Sequence, residues 1–449
     1  MAGLTVPRFA ALRVGDYRRY FGAVLLAMTA DNIEHVISYW VIFQKFHSPA
    51  LGGFAVISHW VPFLLFSVYM GGIADRYDCR HLIQASQALF MLATVAWGVL
   101  FLTDTLQIWH AVVILLIHGA AGVVGASAIQ LILHDMVDAE QLQSAIRLNA
   151  SSRYLSILLG PALGAGLMLM LGSGWGLLVN GLIYLPFTIL LLRLPYTGHT
   201  RAVAPPRSAR RAGLGETRRL LGEVRSDPRI VTMIVLGGAA SFFVGNAFQA
   251  QMPKYAHDLR ADETGVWYSV LLAANAAGAV LGAVLLESLT ILRPSARIAL
   301  VCAGAWGVMI GLFPAASNYG VALTLLLLAG VFDIAFTSMA QTLVQVLAPP
   351  RLRGRIVGVF NTAILGLRAG SGLTVGVLGA VLGVHWSLAL SAAAVVVTAV
   401  GLLAREARSL GINRGAAPGG PSRTAGGTSM GPERLTSGHG GGGVTGRRR

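Results

Sequence analysis

Gly71-Gly72-Ile73-Ala74-Asp75-Arg76-Tyr77-Asp78-Cys79-Arg80 separates two apolar runs, 51–73 and 82–102, each about the length a helix needs to cross a bilayer. Two acids and two arginines held between such runs describe a tight turn at a membrane face. There, opposite charges can cluster and tie neighbouring helices together. Breaking the cluster would let those helices separate.

Ten further windows of the same kind lie outward from this turn: 19–44, 107–133, 146–171, 174–193, 229–254, 264–287, 297–313, 318–346, 354–382 and 386–404. Together they predict an all-α membrane protein with twelve spans. Composition agrees. The 449 residues are 55% hydrophobic and 12% charged, against roughly 25% charged in a soluble domain, and the mean hydropathy is +0.67. The net charge of +15 raises a nucleic-acid partner, but its distribution argues against one, because no basic face interleaved with aromatics is present. The two cysteines, Cys79 and Cys302, are too few and too far apart for a disulfide framework or a zinc site. No cleavable signal peptide is expected, since the first apolar run starts near Phe21 and lacks a cleavage site.

The arginines fix an orientation. Arg8, Arg13, Arg18 and Arg19 precede the first span, Arg76 and Arg80 follow the second, and Arg351, Arg353 and Arg355 precede the eleventh. Arg405 and Arg408 follow the twelfth, and seven more, from Arg201 to Arg225, fill the middle of the chain. An even number of spans puts all of them on one side, which the positive-inside rule makes the cytoplasm. The opposite loops hold little beyond Lys45, Lys254 and Arg260. Residues 194–228 read as a cytoplasmic linker between an N-terminal half (1–193) and a C-terminal half (229–410). Residues 411–449, rich in Gly, Ser and Arg, read as a disordered cytoplasmic tail. A shift of 210 residues lays Val137–Ala145 on Leu347–Arg355, and carries Gly160, Leu163 and Gly166 onto Gly370, Leu373 and Gly376. Two six-helix pseudo-symmetric halves follow.

At the opening turn, Gly71, Asp75, Arg76 and Arg80 resemble the G-x-x-x-D-R/K-x-G-R-R/K loop signature of the major facilitator superfamily. Asp78 replaces its usual Gly and Cys79 the first basic residue of its final pair. The DRxD form is similar to that of the transmembrane secretion effectors, the branch holding the enterobactin exporter and macrolide efflux proteins. Phe9–Tyr20, Leu142–Gly164 and Leu352–Arg355 extend the resemblance over roughly residues 8 to 405. It implies that Asp75 approaches the positive N-terminal end of span eleven, and that Arg76 and Arg80 find carboxylates nearby, Asp135 being a candidate.

Gly160-Pro161-x-x-Gly164 in span five is similar to a motif associated with antiporters. Physically, Pro161 removes a backbone donor, and the flanking glycines admit close packing. Small faces recur in span eight (Gly278, Gly282) and span eleven (Gly366, Gly370, Gly372, Gly376). They suit helices that slide where the halves meet.

Ionisable residues inside spans are expensive and mark function. Asp31, Glu34 and His35 in span one occupy neighbouring directions on the helix, and either acid is a candidate proton carrier or substrate contact. Asp333 in span ten and Arg368 in span eleven form a second candidate pair, as a static ion pair or a coupling site. His59 and His118, lone histidines among apolar neighbours, fit as packing residues. Trp40, Trp60 and Trp267 are candidates for an aromatic cavity, with interface anchoring the simpler role for Trp267.

The expected function is proton-linked export of a small amphipathic compound, siderophore or drug-like, by alternating access, with the proton gradient rather than a cofactor as energy source. The expected partners are the substrate, protons and the lipid bilayer, with no nucleic acid. A monomer in a bacterial inner membrane, both termini cytoplasmic, is expected. An uptake permease or uniporter is the alternative. A membrane-embedded enzyme is disfavoured, since no catalytic residue set and no metal-binding spacing, HExxH, P-loop or G-x-S-x-G is present.

Overall fold

The computed structural model describes residues 9–199, 222, 227–261, 264–288, 295–349 and 352–415, with no strand among them. Residues 1–405 form one unit and 406–449 a second. The described part of the second, 406–415, is helical. Most of the expected linker and tail lies outside the described residues.

The first four spans are α1 (Gly15–Phe46), α2 (Pro49–Ala74), α3 (Cys79–Leu102) and α4 (Ile108–Met136). Helix then runs from Ala139 to Ile183 and on through Leu185–Arg193. The 54 residues of 140–193 would make a straight rod of about 80 Å, far more than a hydrocarbon core of roughly 30 Å. The rod breaks at Gly172, whose φ of 75° and ψ of 165° suit a residue without a Cβ. A Cβ placed on Gly176 would lie 3.4 Å from Leu167 Cβ, whereas nine residues of straight helix span about 13.5 Å. The chain therefore reverses there, giving α5 (139–171) and α6 (173–193).

The remaining spans are α7 (Pro228–Phe243, continued by Ala247–Ala250 and Met252–Asp258), α8 (Val266–Ser288), α9 (Ala296–Leu312), α10 (Tyr319–Leu347), α11 (353–382) and α12 (Val384–Gly415). Ten described helices are long and apolar enough to cross a membrane. The reversed rod counts twice, and α1 completes the twelve. Asp31, Asn32, Glu34 and His35 at its centre hold α1 below the apolarity of the others.

Pairings repeat between the halves. In the first, α2 and α3 pack on α4 and α1 packs on α5; in the second, α8 and α9 pack on α10 and α7 packs on α11. Close approach requires small residues at matching places. A Cβ on Gly119 of α4 would strike the Ser58 carbonyl of α2, and one on Gly330 of α10 the Asn275 carbonyl of α8.

The halves meet where α2 packs on α11 and α5 on α8. The expected sliding faces divide differently. Gly160 and Gly164 face Asn32 and Val36 of α1, Gly278 and Gly282 face α10, and Gly370 faces Phe242 of α7. These glycines tighten each half internally. Across the halves, Gly372 and Gly376 lie against Gly53 of α2, and Gly366 lies against Leu64. Here α11 carries two π-helical turns, Thr362–Gly366 and Gly372–Val377, a widening common at functional sites.

Candidate functional site

Four helices of the first half bring their few polar side chains to one place. α1 supplies Asp31, Glu34 and His35, α2 His59, α3 Thr94 and α4 His118. Glu34 is 2% exposed and His118 4%. His118 Nδ1 lies 2.9 Å from Glu34 Oε1, and its Nε2 lies 3.1 Å from Asp31 Oδ1. The Thr94 hydroxyl donates to the other Glu34 oxygen. His35 Nδ1 lies 2.8 Å from the Asp31 carbonyl, which can only accept, so Nδ1 carries the proton. The rings of His35 and His118 are 4.8 Å apart, and those of His35 and His59 5.1 Å. Asp31 and His35 remain partly exposed, at 28% and 23% of their side chains.

Asp31, Glu34 and His35 are ionisable side chains within an apolar helix and were legible from the sequence. His59 and His118 were not. Each stands among largely apolar neighbours on its own helix, and its partners arrive from α1, so a reading along the chain assigns it to packing. The structure joins His118 to the acids of α1 and His59 to the rings of His35 and His118.

A seal between the halves lies beside this cluster. Trp40 of α1 stacks on Tyr268 of α8, with centroids 5.6 Å apart and planes within 7°, and the Tyr268 hydroxyl donates to the Val36 carbonyl. Trp60 Nε1–H donates to Asn246 Oδ1 at 3.1 Å, and the Gln251 amide to the Pro49 carbonyl at 2.9 Å. Trp40 and Trp60 thus serve the closure between halves, while Trp267 is half exposed. Arg368 reaches across the same boundary, its guanidinium 4.9 Å over the Trp60 ring, a cation–π contact. The expected pairing of Arg368 with Asp333 inside the second half is therefore replaced by a longer-range one, in which Arg368 charge still acts on Asp333. Toward the arginine-bearing side, α2 is less covered. Leu64 through Tyr69 are all exposed, and six consecutive residues cover every face of a helix. The halves are closed at one end and parted at the other.

The Major Facilitator Superfamily model matches residues 20–372. The chain belongs to the major facilitator superfamily. It is a multi-pass membrane transporter and not an enzyme. A staphyloferrin A transporter of Staphylococcus aureus (strain NCTC 8325 / PS 47) is 24% identical over 193 residues, 43% of this chain and 48% of the relative. The match thus spans about half the length of that relative. Among solved structures, the nucleoside transporter NupG superposes with a TM-score of 0.66 at 13% identity, over 87% of this chain and 98% of its own. A bacterial homologue of the human lysosomal transporter Spinster, inward-facing and unoccupied, gives 0.65 at 16% identity, over 88% and 96%. A D-xylose-proton symporter gives 0.64 at 15%, over 87% and 97%. These likenesses establish the fold.

The superfamily's loop signature takes an individual form. Asp78 caps α3 by accepting from Arg80 N–H at 2.9 Å, and it grips the Arg80 guanidinium with contacts of 3.1, 3.1 and 2.6 Å. Arg80 also donates to the Leu194 carbonyl at 2.7 Å. Asp135, the partner expected for the loop arginines, accepts from Gly198 N–H at 2.8 Å. The residue that departs from the signature's glycine is thus the one that engages Arg80. Gly71 lies 3.7 Å, by the position of an added Cβ, from Ser127 of α4. Asp75 and Arg76 are exposed at the end of α2, the end that stands apart.

Burial works to raise the Asp78 pKa, but the bonds from Arg80 outweigh it and hold the carboxyl below its ordinary range. A depressed folded value means that the stabilisation is complete above the unfolded value of about 3.9 and is lost as pH falls through the folded one. Asp78→Ala is expected to cost about 1 kcal/mol at neutral pH through loss of the cap. Thermal unfolding in detergent should show wild type and variant converging as pH drops below about 4.

Proposed function

We propose that this transporter is a proton-linked exporter, moving a small amphipathic compound of siderophore or drug type outward across a bacterial inner membrane. The carrying observation is the Arg368 guanidinium lying over Trp60, across the closed end of the boundary between halves. Asp333 competes for that guanidinium. Ionised, Asp333 draws Arg368 back toward α10 and loosens the seal. Protonated, it releases Arg368 to Trp60 and favours the conformation described above. A proton taken up while the sealed end is open thus drives return to the state parted at the arginine-bearing side. Its release there, as substrate binds, permits the outward change, which is the sequence an antiporter needs.

Export, rather than uptake, is supported by the antiporter-like Gly160-Pro161-x-x-Gly164 and by the resemblance to the secretion-effector branch. The staphyloferrin A transporter supports the substrate class. The arginine-bearing side is the cytoplasmic one in this reading, with both termini there and the monomer as the working unit. Glu34 already has two partners and little exposure, whereas the Asp333 carboxylate has no hydrogen-bond partner among the described residues. Proton coupling is therefore assigned to Asp333, and the α1 cluster to binding.

The test is substrate-driven proton movement in proteoliposomes carrying an internal pH dye, with siderophores and macrolides as trial substrates. Asp333→Asn, fixed in the neutral form, is expected to reduce coupled proton movement more than tenfold. Undiminished coupling in Asp333→Asn, with loss in Glu34→Gln, would move the coupling site to α1. Substrate movement without protons in the wild type would replace antiport with uniport.

A further inference from the structure

Three imidazoles from three helices converge in the first half. One ring nitrogen each from His35, His59 and His118 lies within 4.8 Å of the others. Mutual ring packing could bring histidines together, but it would not dictate which nitrogens are occupied, and here the pattern is specific. His118 Nδ1 is taken by the Glu34 carboxylate, and Glu34 is itself fixed by Thr94. His35 Nδ1 is taken by a backbone carbonyl. Metal-ligating histidines are oriented in this way, one nitrogen donating to a carboxylate or carbonyl while the other keeps its lone pair for the ion.

The atoms left over belong to the same cluster of residues. His118 Nε2, His59 Nδ1 and Asp31 Oδ1 are buried without a hydrogen-bond partner. His118 Nε2 and Asp31 Oδ1 are only 3.1 Å apart and still fail to align as donor and acceptor. Buried polar atoms left in this condition are costly, and three of them within one cluster of residues call for a shared partner. Ligands about 2.0–2.1 Å from a tetrahedral zinc ion stand about 3.3 Å from one another, so the His118–Asp31 separation already matches an edge of such a site. The histidine nitrogens need to draw in by up to about 1.5 Å to reach that edge. A divalent ion would also offset the two carboxylates, Asp31 and Glu34, in a region of low dielectric.

We propose that His35, His59 and His118, with Asp31 as fourth ligand, bind one divalent transition-metal ion of the zinc class. The donor set is nitrogen and oxygen without thiolate, which suits Zn²⁺, Co²⁺ or Ni²⁺ over Cu⁺. Glu34 is a positioning residue, acting through His118. The partial exposure of Asp31 and His35 gives the ion its way in. The ion would tie α1 to α2 and α4 next to the crossing of α2 and α11.

The experiment uses the purified full chain in nanodiscs, stripped with a chelator and titrated with Co²⁺ while visible absorption is recorded, then dialysed against Zn²⁺. One equivalent of Co²⁺ per chain, with the intense absorption of tetrahedral coordination, is expected. His59→Gln and His118→Gln should each weaken binding at least tenfold. Glu34→Gln should keep the spectrum and lose about 10–100-fold in affinity. His59→Gln is the decisive variant, because the Nδ1 it removes has no hydrogen-bond partner, and thermal unfolding of the metal-free variant checks that it still folds. No stoichiometric binding by the wild type, or unchanged binding in His59→Gln, overturns the proposal and leaves a histidine–carboxylate cluster without a metal.

Discussion

Gly53→Val is expected to abolish transport while leaving both halves folded. A Cβ on Gly53 would stand 2.5 Å from the Gly372 carbonyl oxygen and 2.7 Å from Gly376 Cα. Both are backbone atoms, which cannot swing aside as a side chain would. The contact lies between α2 and α11, so the strain is relieved by parting the halves at the sealed end, and packing inside each half is untouched. Overpacking costs about 1–3 kcal/mol. Between two conformations close in energy, that shifts their ratio by about 5–150-fold, away from the state described here. The check is thiol labelling in a chain freed of Cys79 and Cys302, with Asn246→Cys as the reporter. In Gly53→Val, an impermeant reagent applied from the side opposite the arginines should label it at least tenfold faster, while substrate movement falls more than tenfold. Gly166→Ala is the matched control, since a Cβ there meets nothing within 4 Å. Normal transport with unchanged labelling would mean that the Gly53–Gly376 crossing is not part of the moving boundary.

That crossing also shows why some features of this chain were legible in its sequence and others were not. Span count depends on apolar length, a local property, and even the reversal after span five was written in Gly172-Ser173-Gly174. A glycine face announces that something approaches closely but carries no information on what. Thus Gly160 and Gly164 serve α1 where a sliding role between halves was expected, and Gly376 serves that boundary. Asp31, Glu34 and His35 stood out because charge in an apolar span is conspicuous. His59 and His118 did not, because their partners lie 24 and 84 residues away, the His35–His59 and Glu34–His118 intervals, joined only by the packing of α2 and α4 against α1. Asp78 looked like the loss of a signature glycine. Only the geometry of the turn reveals that its carboxylate caps α3 and holds Arg80 at once.

Glu34→Ala, in protein stripped of metal, is expected to lose about 3 kcal/mol of stability, the largest single loss among these side chains. Glu34 accepts from both His118 and Thr94, and it is sealed from water. Its removal leaves two donors with no acceptor, each worth about 1–3 kcal/mol when buried and unsatisfied, together with a void where the side chain stood. Membrane interiors soften such losses, because hydrogen bonds between helices average about 0.6 kcal/mol there. Thr94→Val alone should therefore cost under about 1 kcal/mol, since the valine fills the space of the threonine and Glu34 keeps His118. The decisive quantity is the double variant. If Thr94 acts by holding Glu34, then Glu34→Ala with Thr94→Val should cost no more than Glu34→Ala alone, because the replaced hydroxyl no longer has an acceptor to lose. It should even recover part of the loss by removing an orphaned donor. Strictly additive losses in thermal unfolding would show the two side chains to be energetically independent. They would also remove the support that fixes His118 in the orientation on which the binding role of the α1 cluster depends.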